Sequence, residues 1–240
     1  MSIMSIKNRV ALITGATGAL GRVVSQSLAA EGARLVLKGR SMDTLDEAAS
    51  QLDLPEERIL KCVFEASENK DASEVIHLAN EKFGGVDILI HLVGGWVGGK
   101  PLANVAQEEV ENMLQQHLWS TLYLTQAFLP QALKNGWGRI VIVSSTVAVN
   151  PRANSGPYAI GKTAQETVIR TIAQETKGTG VTANILQINT IDTKHERDSS
   201  PSSQNASWTT PEEIAAAILY LCSQEAGMVN GARIPLYGSA

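Results

Sequence analysis

Short apolar runs recur along this chain, separated by longer stretches patterned for helices. Ile140-Val141-Ile142-Val143 is the plainest of them. A continuously apolar strand is buried on both faces, as in a parallel sheet covered by helices. Strands are expected at Val10–Thr14, Arg34–Lys38, Ile59–Phe64, Asp87–His91, Arg139–Ser144, Thr182–Ile188 and Ala232–Leu236. Helices are expected near 19–31, 42–52, 70–83, 107–134, 157–177 and 211–224. Ser41 or Asp43, and the run Thr210-Pro211-Glu212-Glu213, supply start signals: a capping side chain, a proline at the first position, an acidic first turn. The alternation predicts right-handed βαβ crossovers, hence an α/β fold with a doubly wound parallel sheet. No repeat or linker divides residues 1–240, so a single domain is expected. The polar, serine-rich stretch 195–208 reads as a mobile flap over a site, spanning roughly 193–210, with a disordered linker as the alternative.

Composition narrows the function classes. A chain that is 44% hydrophobic and 18% charged suits a soluble globular protein. Its net charge of −4 argues against a nucleic-acid partner. No apolar run reaches the ~20 residues of a membrane span, and the amino end lacks a signal-peptide pattern. Cys62 and Cys222 lie in apolar contexts and read as buried free thiols, which suits a cytoplasmic location. His77, His91 and His195 lack ligand-like spacing, so no metal site is expected. Trp119, Trp137 and Trp208 read as packing residues, with Trp208 near enough to the flap to touch a substrate.

The turn after the first strand carries chemistry. In Thr14-Gly15-Ala16-Thr17-Gly18-Ala19-Leu20-Gly21, glycines let the backbone turn sharply and approach a pyrophosphate, whose charge the helix N-terminus attracts. The second strand ends Lys38-Gly39-Arg40-Ser41, without the Asp or Glu that holds both ribose hydroxyls of NAD. Lys38, Arg40 and the Ser41 hydroxyl can instead meet a 2′-phosphate, through charge-assisted bonds of about 1.5–3 kcal/mol each. NADP(H) is therefore the preferred cofactor, with NAD(H) possible. The alternative is that Arg40 is only a solvated loop cation.

Farther along, Tyr158 and Lys162 stand four residues apart and share a helix face. Ser145 lies 13 positions upstream of Tyr158. A neighbouring ammonium is expected to lower the phenol's pKa, so that it exchanges a proton near neutral pH.

In this order, the glycine turn, Ser145, Tyr158 and Lys162 resemble the short-chain dehydrogenase/reductase family over essentially the whole chain. The resemblance implies a Rossmann-type sheet of about seven strands and a homodimer or homotetramer. Tyr158 is then the proton donor or acceptor. Lys162 binds the nicotinamide ribose, and Ser145 orients the substrate oxygen. Gly15, Thr17, Gly18, Leu20, Gly21, Gly94, Ile191 and Thr193 fall on cofactor-contacting positions of the family. Departures are Ala19 for a glycine, His91-Leu92-Val93-Gly94 for Asn-Asn-Ala-Gly, and Ile188-Asn189 for Pro-Gly. His117 stands where a proton-relay asparagine is usual.

A narrower likeness is to the dihydropteridine-reductase-like subgroup, carried by Gly18-Ala19-Leu20-Gly21, Gly94-Gly95-Trp96-Val97-Gly98-Gly99, Ile191-Asp192-Thr193 and Ser207-Trp208-Thr209. It implies a quinonoid dihydropterin, on whose ring Trp96 can stack. Gly39-Arg40 and Ser145 depart from that subgroup and suit a carbonyl substrate reduced with NADPH. The expected function is NADP(H)-dependent carbonyl/alcohol oxidoreduction. Pterin reduction is the alternative, and a non-catalytic dinucleotide sensor is a further one.

Overall fold

The computed structural model describes residues 6–64 and 69–237. The reading of the amino end therefore falls partly outside the described residues. Seven strands form one parallel sheet: β1 (Val10–Thr14), β2 (Arg34–Gly39), β3 (Ile59–Val63), β4 (Ile88–His91), β5 (Gly138–Ser145), β6 (Val181–Ile188) and β7 (Arg233–Pro235). Their order is β3-β2-β1-β4-β5-β6-β7. The main helices are α1 (Ala19–Ala30), α2 (Met42–Ser50), α3 (Asn69–Phe83), α4 (Gln107–Leu114), α5 (Ser120–Asn135) and α6 (Gly156–Glu175). A short α7 (Glu196–Ser199) and the longer α8 (Pro211–Cys222) follow. This is the Rossmann-type sheet expected. No helix among the described residues is long and apolar enough to cross a membrane.

Alternate residues of each strand feed different cores. On β1, Ala11 and Ile13 pack with Val24 and Leu28 of α1 and with Ile214 and Ile218 of α8. Val10 and Leu12 face the other way, toward Val75 of α3, Phe128 of α5 and Ile169 of α6. Both faces are thus sealed, and the continuous apolar runs follow from that requirement. Cys62 and Cys222 are buried free thiols. Trp137 packs between the guanidinium groups of Arg9 and Arg139, 3.8 and 4.4 Å from its ring centre.

Helix starts follow their local chemistry. Ser41 caps α2 through Thr44 N–H. Thr210 and Glu213 form a reciprocal capping box on α8. One expectation fails: 107–134 is not a single helix. A π turn over Gln115–Trp119 separates α4 from α5. The hydroxyls of Ser120 and Thr121 donate back to the carbonyls of Gln116 and His117, both at 2.6 Å. Such back-bonding competes with the regular helix ladder. The His117 ring also needs room, and finds it against two glycines: a Cβ at Gly94 would sit 2.5 Å from its Cε1, and one at Gly161 would sit 2.9 Å from its Cδ2. Gly161 is therefore explained by close approach of another helix.

The register aligns Thr14 with both Lys38 and His91, so the carboxyl ends of β1, β2 and β4 open at one level. The strand order reverses between β1 and β4, the point at which such sheets bind ligands. Gly15 turns the chain with φ +70°, and Gly21 lies against the turn's backbone, where a Cβ would meet Ala16 Cα at 2.7 Å. A Cβ at Gly18 meets nothing closer than 3.4 Å. Gly21→Ala should therefore lose about 1–3 kcal/mol in denaturant melts, as an overpacked site does. Gly18→Ala should lose less than about 1 kcal/mol, and equal losses would contradict this account of the turn.

Candidate active site

A cleft of about 630 Å³ runs along these strand ends, from Gly15, Thr17, Gly18 and Arg40 to Gly94 and Gln116. No acidic residue occupies the first turn of α1, so its free N–H groups and the turn fit a pyrophosphate. At the β2 end, a Cβ on Gly39 would lie 3.0 Å from Leu45 Cγ and 3.2 Å from Thr17 Cγ2. A carboxylate side chain there would be crowded. Lys38 is buried, and its ammonium donates to Phe64 O at 2.6 Å. Arg40 is exposed at the cleft margin. Gly21 sits beneath the turn, and Ser41 serves as the α2 cap, so neither belongs to the cleft lining.

A second cavity of about 350 Å³ adjoins Gly94 and holds Ser145, Tyr158, Lys162 and His117 together with Leu20 and Ile191. Ser145 ends β5, while Tyr158 and Lys162 lie one turn apart on α6. Thr193 is exposed and outside both linings; its N–H donates to Ile191 O. Trp96 lines the same cavity with 63% of its surface exposed.

The Tyr158 phenol is not made acidic here. Burial pushes its pKa up, and the hydrogen bond with Ser145 pulls it partly back. The Lys162 ammonium lies 6.0 Å from the ring centre and is turned elsewhere, donating to Val143 O and Gln165 Oε1, both at 2.9 Å. Sharing a helix face brought the pair near without joining them. Burial pushes Lys162 itself down to about 7, against the opposing pull of Glu166.

His117 is fully buried. Its Nε2 lies 3.1 Å from Gly95 O, which can only accept, so Nε2 carries the proton. Nδ1 is then a bare acceptor, and it has no hydrogen-bond partner among the described residues. Burial and the nearby Lys162 push His117 down to about 3. His91 is likewise buried and pushed down to about 3, with burial the main cause. Its Nδ1 is 2.7 Å from Thr14 Oγ1, and its Nε2 is 3.0 Å from Ser120 Oγ.

Several polar residues escaped the sequence reading. Gln165 and Glu166 are buried one turn beyond Lys162, where a helical wheel would have placed them on the sheet side. Glu166 accepts from Ser144 Oγ at 2.6 Å and from Arg233 Nε at 2.8 Å. Asn189, at the Ile188-Asn189 pair that replaces the usual Pro-Gly, accepts from Thr146 Oγ1 and donates to Ser207 Oγ, tying the turn after β5 to the 193–210 stretch. That stretch is also anchored at its root. Asp192 accepts from the N–H groups of Glu196 and Arg197, and Arg197 forks onto both oxygens of Glu213.

Known proteins resemble this chain in sequence and in fold. The sequence pattern described as short chain dehydrogenase matches residues 9–204. Dehydrogenase/reductase SDR family member 4 of Bos taurus is 30% identical, covering 98% of this chain and 88% of that protein. An uncharacterized oxidoreductase of Staphylococcus aureus is 27% identical over 91% of this chain and 93% of its own. Among solved structures, a short chain dehydrogenase from Bacillus anthracis superposes with a TM-score of 0.86 at 28% identity, covering 96% of this chain and 95% of that one. Levodione reductase also gives 0.86, over 97% of each chain; at 24% identity this likeness speaks to fold alone.

The two buried histidines set an acid limit. Each is neutral in the folded chain down to about pH 3 but takes a proton below about pH 6.5 once unfolded. Stability should fall as pH drops through that window. Denaturant melts of His91→Asn should show a slope shallower by about 1.4 kcal/mol per pH unit, and an unchanged slope would mean His91 is not held neutral.

Proposed function

The chain belongs to the short-chain dehydrogenase family of nicotinamide-dependent oxidoreductases, and we propose that it is an NADP(H)-dependent carbonyl reductase. The observation that carries this reading is the grouping of Ser145, Tyr158 and Lys162 in one cavity beside the dinucleotide cleft. A bound nicotinamide supplies or accepts the hydride. Ser145 holds the substrate oxygen, and Tyr158 gives that oxygen its proton. A phenol kept protonated by burial suits the reducing direction. Lys162 offers a positive charge to the phenolate left behind and, by its place in the cavity, to the ribose hydroxyls. His117 Nδ1 acts as a neutral acceptor that orients a hydroxyl or water, a role consistent with its depressed pKa. Gly15, Thr17, Gly18 and Gly94 carry the dinucleotide along the cleft, with Leu20 and Ile191 beside the ring.

NADP(H) is favoured over NAD(H) by exposed Arg40 and by the absent carboxylate at Gly39. Lys38 contributes its charge from beneath, since its ammonium is bound to Phe64 O. The substrate is a small carbonyl compound. Trp96, exposed at the cavity, favours a flat ring and keeps quinonoid dihydropterin as the second reading. The 193–210 stretch serves as the substrate flap, hinged at its Asp192 and Arg197 anchors, within one domain. A homo-oligomer is supported by apolar surface on the helices: Trp119, stacked on Tyr123, and Ile160 are each 41% exposed.

Tyr158→Phe should cut turnover about 10²–10⁴-fold while leaving NADPH affinity within a fewfold; ketones, quinones and quinonoid dihydropterin make the substrate panel. Retained turnover would remove the phenol from the reaction. Arg40→Ala should lower the NADPH/NADH ratio of kcat/KM by about tenfold or more, and an unchanged ratio would end the NADP(H) assignment.

A further inference from the structure

Three buried donors run in one direction away from the catalytic lysine. Lys162 Nζ donates to Gln165 Oε1 at 2.9 Å, and Gln165 Nε2 donates to Thr121 Oγ1 at 2.9 Å. Thr121 Oγ1 donates in turn to His117 O at 2.6 Å, inside the π turn. None of these side chains is more than 6% exposed. An ammonium has three N–H groups. Val143 O and Gln165 take two, and no third protein acceptor stands among the described residues. The third therefore remains for the cavity that Lys162 lines.

We propose that Gln165 is a positioning residue for Lys162, tethered through Thr121 to a carbonyl of the π turn, so that the ammonium stays charged and aimed at the cavity. This rests on the reading of Lys162 as part of the oxidoreductase site. Gln165 is not a proton conduit, because an amide cannot hand a proton on without rearranging its bonds. Its oxygen instead solvates a charge that burial opposes, and hydrogen bonds to the charged form favour that form. Aligned donors strengthen one another in a low-dielectric interior.

Other charges reach Lys162 from each side. Glu166, on the same helix, favours its charged form, and Arg233 of β7 holds Glu166 from behind. His117 from the π turn and His91 from β4 are neutral neighbours, each pushed down partly by Lys162. Tyr158 stands one turn back. Among the described residues Glu166 supplies the opposite charge, and Gln165 adds an acceptor without cancelling the positive field.

The experiment follows Lys162 itself and needs no substrate. In protein labelled with ¹³C-lysine, the ε-carbon resonance of Lys162 is assigned by its loss in Lys162→Met and titrated with pH. Gln165→Met keeps length and helix propensity but removes the acceptor. It should lower the midpoint by half a unit or more, about a threefold weaker hold on the proton. Thr121→Val should shift it the same way, Thr121→Ser should leave it in place, and the double variant Gln165→Met/Thr121→Val should go no further than Gln165→Met alone. A midpoint unmoved in Gln165→Met overturns the proposal, whatever happens to the rate. If that variant does not fold, the Thr121 pair decides, and equal midpoints in Val and Ser overturn it. Loss of Tyr158's role would show separately, as turnover retained in Tyr158→Phe.

Discussion

Covering both faces of an all-parallel sheet is the constraint on which the molecule rests. Once α1 and α8 seal one side and α3, α5 and α6 the other, no face remains for polar chemistry. Ligand contacts are confined to the strand ends. The register does the rest, since Thr14, Lys38 and His91 lie at one level and the strand order reverses between β1 and β4. The glycine turn, the cleft and the cavity that holds Ser145, Tyr158 and Lys162 all open at those strand ends.

A second consequence concerns the polar groups that must nonetheless be buried there. Two chains of hydrogen bonds converge on carbonyls at the π turn, one from His91 through Ser120 and one from Lys162 through Gln165 and Thr121. Helix irregularities of this kind gather at functional sites, and this one has an identifiable mechanical cause. Gly94 and Gly161 give up their side chains to admit the His117 ring. A histidine in that position thus depends on two glycines and a displaced helical turn.

Much of this was legible in the residues. The strand runs were found to within a residue or so, because doubly buried strands are apolar throughout. The turn at Gly15 and Gly21 was legible because each glycine answers a separate backbone need. Ser145, Tyr158 and Lys162 were found by spacing and do share a cavity. What spacing did not convey was direction. Helical proximity put Lys162 near Tyr158, yet its ammonium went to Val143 and Gln165, and the phenol's pKa rises instead of falling. Lys38 read as a phosphate ligand, but its ammonium is turned to Phe64 O. The break in 107–134 left no mark in the apolar pattern, because it arises from hydroxyl back-bonding and from glycines distant in sequence. Gln165 was overlooked because an amide on a helix looks like surface until the packing partner is known.

The Arg233 clasp on Glu166 has a bearing on biogenesis. Translation delivers Ser145, Tyr158 and Lys162 long before residue 233 leaves the ribosome. Until β7 pairs with β6, the Glu166 carboxylate beside Lys162 lacks its guanidinium partner. A nascent chain can therefore hold Ser145, Tyr158 and Lys162 while Glu166 still lacks Arg233. β7 thus contributes none of those three residues, yet it supplies the guanidinium that holds Glu166.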